Sequence, residues 1–134
     1  MVPSHCETIE IRSSADVVAV RQATRTLAER VGLSLVEQTK LVTAASELAR
    51  NTIDYAGGGC ARLEAIENGV RRGVRLTFED QGPGIPDVAQ ALKDGYTTGK
   101  GLGLGLGGAR RLVNDFSIDS SPGAGTRIMI ARWK

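Results

Sequence analysis

At 134 residues and 14.2 kDa, with 41% hydrophobic and 24% charged residues, the chain has the composition of a folded globular domain and not of a disordered segment. A formal charge of +2 is too small to argue for nucleic acid or an anionic membrane as a partner. No run approaches the roughly 18 apolar residues of a spanning helix, and the N-terminus has neither the basic start nor the apolar run of a signal peptide. One histidine (His5) and two cysteines (Cys6 and Cys60) outside any metal-ligand spacing leave little from which to build a zinc site or a Ser-His-Asp triad. Two such thiols suit a reducing cytoplasm, although a pair close in space could still bridge.

In chain order, Thr8 to Arg12 alternates polar and apolar and reads as a half-buried strand. From Ser14 the period becomes helical, with Val17, Val20, Ala23, Leu27 and Val31 on one side and Gly32 as a C-cap. Ser34-x-x-Glu37 reads as a capping box opening a second helix, which runs to about Tyr55 and ends at Gly57-Gly58-Gly59. Its apolar side is Leu41, Ala44, Ala45, Leu48 and Thr52. Two strands follow, Cys60 to Glu67 and Gly73 to Asp80, joined by a hairpin at Asn68-Gly69. The run Gln81 to Pro86 breaks regular structure. A short helix near Asp87 to Asp94 leads into a loop, Gly95 to Gly101. A helix from about Leu104 to Phe116, a strand Ser117 to Ser121, a turn Pro122 to Gly125 and a last strand through Ile128 and Ile130 complete the chain. The basic pairs Arg71-Arg72 and Arg110-Arg111 read as solvated. With no repeat and no linker, residues 1–134 are expected to form one domain, an α/β (α+β) two-layer sandwich with helices on one face of a largely antiparallel sheet.

The 17 glycines are close to twice an average share and cluster in the second half, which suggests backbone brought close to a ligand. Glu47 and Asn51, four apart, share a helix face. A carboxylate beside a neutral hard oxygen donor suits magnesium chemistry, with Glu47 free to accept a proton. An isolated pair of this kind is more often a polar stripe, so its weight comes from the glycine-rich loops that follow. Asp80 ends a strand just before Gly82-Pro-Gly84, where its carboxylate could accept from an exocyclic amine such as adenine N6 while Ile85 offers an apolar wall. The run Gly101-Leu102-Gly103-Leu104-Gly105, continuing to Gly108, exposes several N–H groups ahead of a helix and forms an anion site. Its match to the dinucleotide fingerprint fails because no strand precedes it, and Gly95-x-x-x-Gly99-Lys100 is one residue short of a P-loop. Gly123-Ala-Gly125-Thr126 reads as a tight turn that also brings a hydroxyl toward the base.

Taken in order, Glu47-Leu-Ala-Arg-Asn51, Asp80-Gln-Gly-Pro-Gly84, Gly101-Leu-Gly-Leu-Gly105 and the closing Gly125-Thr126 resemble the four boxes of the GHKL (Bergerat-fold) ATPase superfamily. Within it the chain looks most like RsbT-type serine/threonine kinases of bacterial partner-switching and stressosome pathways. That resemblance implies ATP and Mg²⁺ as cofactors, Glu47 as catalytic base, and Asn51 as the magnesium ligand. It implies adenine recognition by Asp80 with its Gly82 and Gly84 loop and by Thr126, and a lid over the phosphates from Gly95 to Gly105. Lys100 departs from the pattern: it either touches the γ-phosphate or points to solvent. The implied substrate is a Ser or Thr hydroxyl of a small STAS-domain protein, with a PP2C-type phosphatase as a further partner, in the cytoplasm, away from nucleic acid and membrane. The alternative is a nucleotide-gated binding module that controls a phosphatase or sigma factor by association alone.

Overall fold

The computed structural model describes residues 2–84, 92 and 105–134, with side chains described from residue 5 and, in the last stretch, from residue 106. Its elements are β1 (Val2–Ile11), α1 (Ser14–Val31), α2 (Leu35–Ala56), β2 (Gly59–Asn68), β3 (Arg71–Asp80), α3 (Gly105–Arg111), β4 (Asp115–Ser120) and β5 (Thr126–Trp133). The five strands form one sheet in the order β1-β2-β3-β5-β4, antiparallel at every pairing. The expected helix near Asp87 to Asp94 and the loop Gly95 to Gly101 lie outside the described residues.

The helices close over one face. Ala61, Leu63, Leu76, Phe78, Ile128 and Ile130 from the strands meet Val17, Val20, Leu27, Leu41, Ala45 and Leu48 from α1 and α2, and Leu106 and Ala109 of α3 join the same cluster. Both long helices have satisfied ends. At the start of α1 the Asp16 carboxylate accepts from the backbone N–H of Arg12 at 2.8 Å and of Ser13 at 3.1 Å. At the start of α2, Glu37 N–H donates to Ser34 Oγ at 3.1 Å and Ser34 N–H donates to Glu37 Oε1 at 2.9 Å, the reciprocal box read from the sequence. Gly32 and Gly57 terminate α1 and α2 in the left-handed conformation.

The opposite face of the sheet has its own small apolar group, Ile66, Ala131 and Trp133 with Met129 against them. Beside it, Glu64 accepts two hydrogen bonds from its cross-strand neighbour Arg75, Nε at 3.0 Å and Nη2 at 3.1 Å. The forked geometry lets a carboxylate lie almost buried without stranding its charge. Cys6 pairs with Glu64 and Cys60 with Glu10, which separates the two thiols by about four residues, roughly 13 Å along the ladder. Both are free, so the bridge left open by the sequence is not made. Among the described residues no helix is long and apolar enough to cross a membrane.

Several boundaries differ from the expectation, among them the start of β4, which lies at Asp115 and not at Ser117. β1 begins at Val2 and not at Thr8, because β2 is long enough to pair with all of it across an irregularity between Pro3 and His5. β3 begins at Arg71, tightening the hairpin to Gly69-Val70. α3 stops at Arg111 and not at Phe116. There Leu112 N–H turns back to Ala109 O at 3.1 Å, and Asn114 is drawn to β5, its N–H to Ala131 O at 2.9 Å and its Oδ1 accepting from Trp133 N–H at 2.7 Å.

Candidate functional site

A recess opens where the C-terminal half of α2 passes the ends of β3 and β5 and the start of α3. Its apolar walls are Leu48, Phe78, Leu106 and Ile128, its polar groups Asn51, Asp80 and Thr126, and Thr52 and Tyr55 complete it. It holds about 320 Å³ of empty space when its open mouth is included.

Helical spacing explains the α2 contribution. Leu48, Asn51, Thr52 and Tyr55 lie three and four apart and face the same way. Ala44, Ala45 and Ala49 are fully buried and let α2 approach the sheet closely. Glu47 and Asn51 are only 2% and 7% exposed, which rules out a solvated polar stripe. Asn51 lines the recess, whereas Glu47, one turn toward the N-terminus, does not.

Asp80 and Thr126 are far apart in sequence but are direct cross-strand partners, because β5 lies beside β3. Asp80 Oδ1 accepts from Gly82 N–H at 2.9 Å, a local turn that fixes the carboxylate. Among the described residues Oδ2 accepts no hydrogen bond. The glycines of this loop serve packing within the protein. A Cβ at Gly82 would lie 2.5 Å from Ala56 Cβ, and one at Gly84, where φ is +79°, would lie 2.1 Å from Ser121 O. Gly123 N–H donates to Pro83 O at 2.7 Å, tying the Asp80 loop to the β4–β5 turn. Packing against Ala56 and Ser121 is by itself a sufficient reason for glycine at positions 82 and 84. On the outer face at this end of the sheet, burial and then the Glu79 carboxylate push the Cys60 thiol above its ordinary value.

Of the residues singled out from sequence, the fold gathers Asn51, Asp80 and Thr126 in one recess. Gly105 is the first residue of α3. Ile85, Lys100, Gly101, Leu102 and Gly103 lie outside the described residues. Phe78 and Ile128 were missed as site residues, yet period two signals them: each is two positions from Asp80 or Thr126 on the same strand face.

Residues 36–134 match the family of histidine kinase-, DNA gyrase B-, and HSP90-like ATPases. The chain belongs to that family. It is 42% identical over 125 residues to serine/threonine-protein kinase RsbT of Bacillus subtilis, covering 93% of this chain and 94% of that one. It is 34% identical over 104 residues to an anti-sigma F factor of Bacillus licheniformis, covering 72% of this chain and 69% of that one. Among solved structures, the RsbU and RsbW domains of a Mycobacterium tuberculosis protein align with a TM-score of 0.67 at 18% identity, over 99% of this chain and 34% of that one. The mycobacterial sensor histidine kinase MprB aligns with a TM-score of 0.54 at 18% identity, over 96% of this chain and 97% of that one. These two likenesses speak for the ATPase fold, which is the α/β sandwich expected from the sequence.

Proposed function

We propose that residues 1–134 act as one ATP-binding kinase domain that transfers the γ-phosphoryl group of ATP to a Ser or Thr hydroxyl of a STAS-domain partner in a cytoplasmic switching pathway. The observation that carries this reading is the recess itself. It joins a fixed carboxylate and a hydroxyl in an apolar slot beside a buried asparagine, in a chain related along most of its length to a serine/threonine kinase.

In this reading the flat base lies between the apolar walls, and Asp80 accepts from its exocyclic amine. Asn51 has the chemistry to hold Mg²⁺: it offers an uncharged hard oxygen on the recess wall. Among the described residues no group of three or more His, Cys, Asp or Glu side chains gathers, so the phosphates and water would supply most of the ion's ligands. Bound there, Mg²⁺ would offset negative charge on the phosphates. Glu47, one helical turn from Asn51, accepts the proton of the attacking hydroxyl.

Incubation with radiolabelled ATP and a STAS-domain partner tests the proposal. Wild type labels the partner and Glu47→Ala loses labelling by at least 10²-fold, while still binding ATP. The kinship to an anti-sigma factor favours one second reading, control of a phosphatase or sigma factor by nucleotide-gated association. Under that reading Glu47→Ala keeps full control of the partner, and persistence of control without labelling decides for it.

A further inference from the structure

Thr126 belongs to a short hydrogen-bond chain in which either its own hydroxyl or that of Ser120 can donate to the other. Ser120, the last residue of β4, is the cross-strand partner of Thr126, and their hydroxyl oxygens lie 2.8 Å apart. Ser120 Oγ also donates to Gly125 O at 3.2 Å. A carbonyl oxygen can only accept, and a serine hydroxyl has a single proton. With that proton directed at Gly125, Ser120 Oγ meets Thr126 as an acceptor. The Thr126 proton then points out of the recess, and only its lone pairs are available to a ligand. Next to it Asp80, a carboxylate with Oδ1 held by Gly82 N–H at 2.9 Å, also offers only acceptors.

We infer that Ser120 is a positioning residue for base selection: by taking the Thr126 proton it keeps this end of the recess free of donors. Two acceptors side by side suit an exocyclic amine, which has two N–H groups, and repel a ring carbonyl. The inference deepens the ATP reading above and rests on it. Ser120 does not touch the base; it acts through Thr126. Once Ser120 is replaced by alanine, the Thr126 hydroxyl can rotate and donate into the recess, where a carbonyl becomes acceptable.

The test is competition of ATP and ITP against a fluorescent adenine nucleotide; the ITP base has a carbonyl where adenine has the amine. Wild type, Ser120→Ala, Ser120→Thr, Thr126→Val and the double variant Ser120→Ala/Thr126→Val are compared, each with its melting temperature. Ser120→Ala narrows the preference for ATP over ITP by about fivefold, the equivalent of one neutral hydrogen bond. Ser120→Thr retains the wild-type ratio. The double variant matches Thr126→Val alone, because Ser120 has no effect once Thr126 cannot donate. A wild-type ratio in a folded Ser120→Ala protein, or a double variant whose losses multiply, overturns the role of Ser120. Failure of wild type to bind ATP, or unchanged binding by Asp80→Asn, overturns the ATP reading itself. Normal Asp80 dependence with an unmoved Ser120→Ala ratio overturns only the inference about Ser120.

Discussion

Thr24 sits in the middle of α1, fully buried, and its hydroxyl has no partner among the described residues. An unsatisfied buried hydroxyl costs more than the same volume of hydrocarbon. Thr24→Val keeps the shape and removes the polar atom, and helix propensity hardly changes. Urea unfolding should show a gain of about 1 kcal/mol; a loss of that size would mean that the hydroxyl bonds in a way the fold does not reveal. Legibility was uneven at this scale. Asn51, Asp80 and Thr126 stood out because each sits in a local pattern, a helix repeat or a strand end beside glycines. Thr24 and Ser120 did not, since burial and cross-strand pairing depend on elements far away in the chain. The Gly82 and Gly84 positions were visible, but their reason was not: the atoms they make room for belong to Ala56 and Ser121.

At the scale of elements, α2 matters most, because it carries both Glu47 and Asn51. Its N-terminal box gives it a pH dependence. Glu37 is held below its ordinary value of 4.5, chiefly by the backbone hydrogen bond from Ser34; burial opposes this, and the Ser34 hydroxyl adds a smaller lowering effect. A depressed folded-state pKa means that the carboxylate stabilises the fold fully above the unfolded value of 4.5, and that this share disappears as pH falls through the lower folded value. Melting temperatures measured from pH 6 to pH 3 should therefore fall more steeply for wild type than for Glu37→Gln; parallel curves would remove Glu37 from the acid response. The α2 boundaries were readable because Ser34, Glu37 and Gly57 are local signals. The end of α3 was not. Arg132 Nη1 donates to Leu112 O at 3.1 Å and Asn114 bonds to β5, so a strand distant in sequence decides where that helix stops.

Across the whole molecule, the sheet order creates the site. Placing β5 between β3 and β4 sets Asp80 beside Thr126 and Thr126 beside Ser120, a row that no linear spacing announces. The layer assignment followed from amphipathic periods alone, since α1 and α2 each have one apolar side and β2, β3 and β5 have inward faces to match. The opposite face was harder to foresee, because Glu64 and Arg75 satisfy each other there and break the simple rule that charges mark solvent. The central claim is that this architecture holds ATP by its base at Asp80. Calorimetric titration with Mg·ATP of wild type and of Asp80→Asn tests it most directly. Asparagine keeps the volume, but it removes the charge and puts an amide donor where acceptors are needed. The account predicts saturable one-to-one binding by wild type and a loss of at least about tenfold in affinity for a folded Asp80→Asn protein. Equal affinity in the two proteins would contradict it.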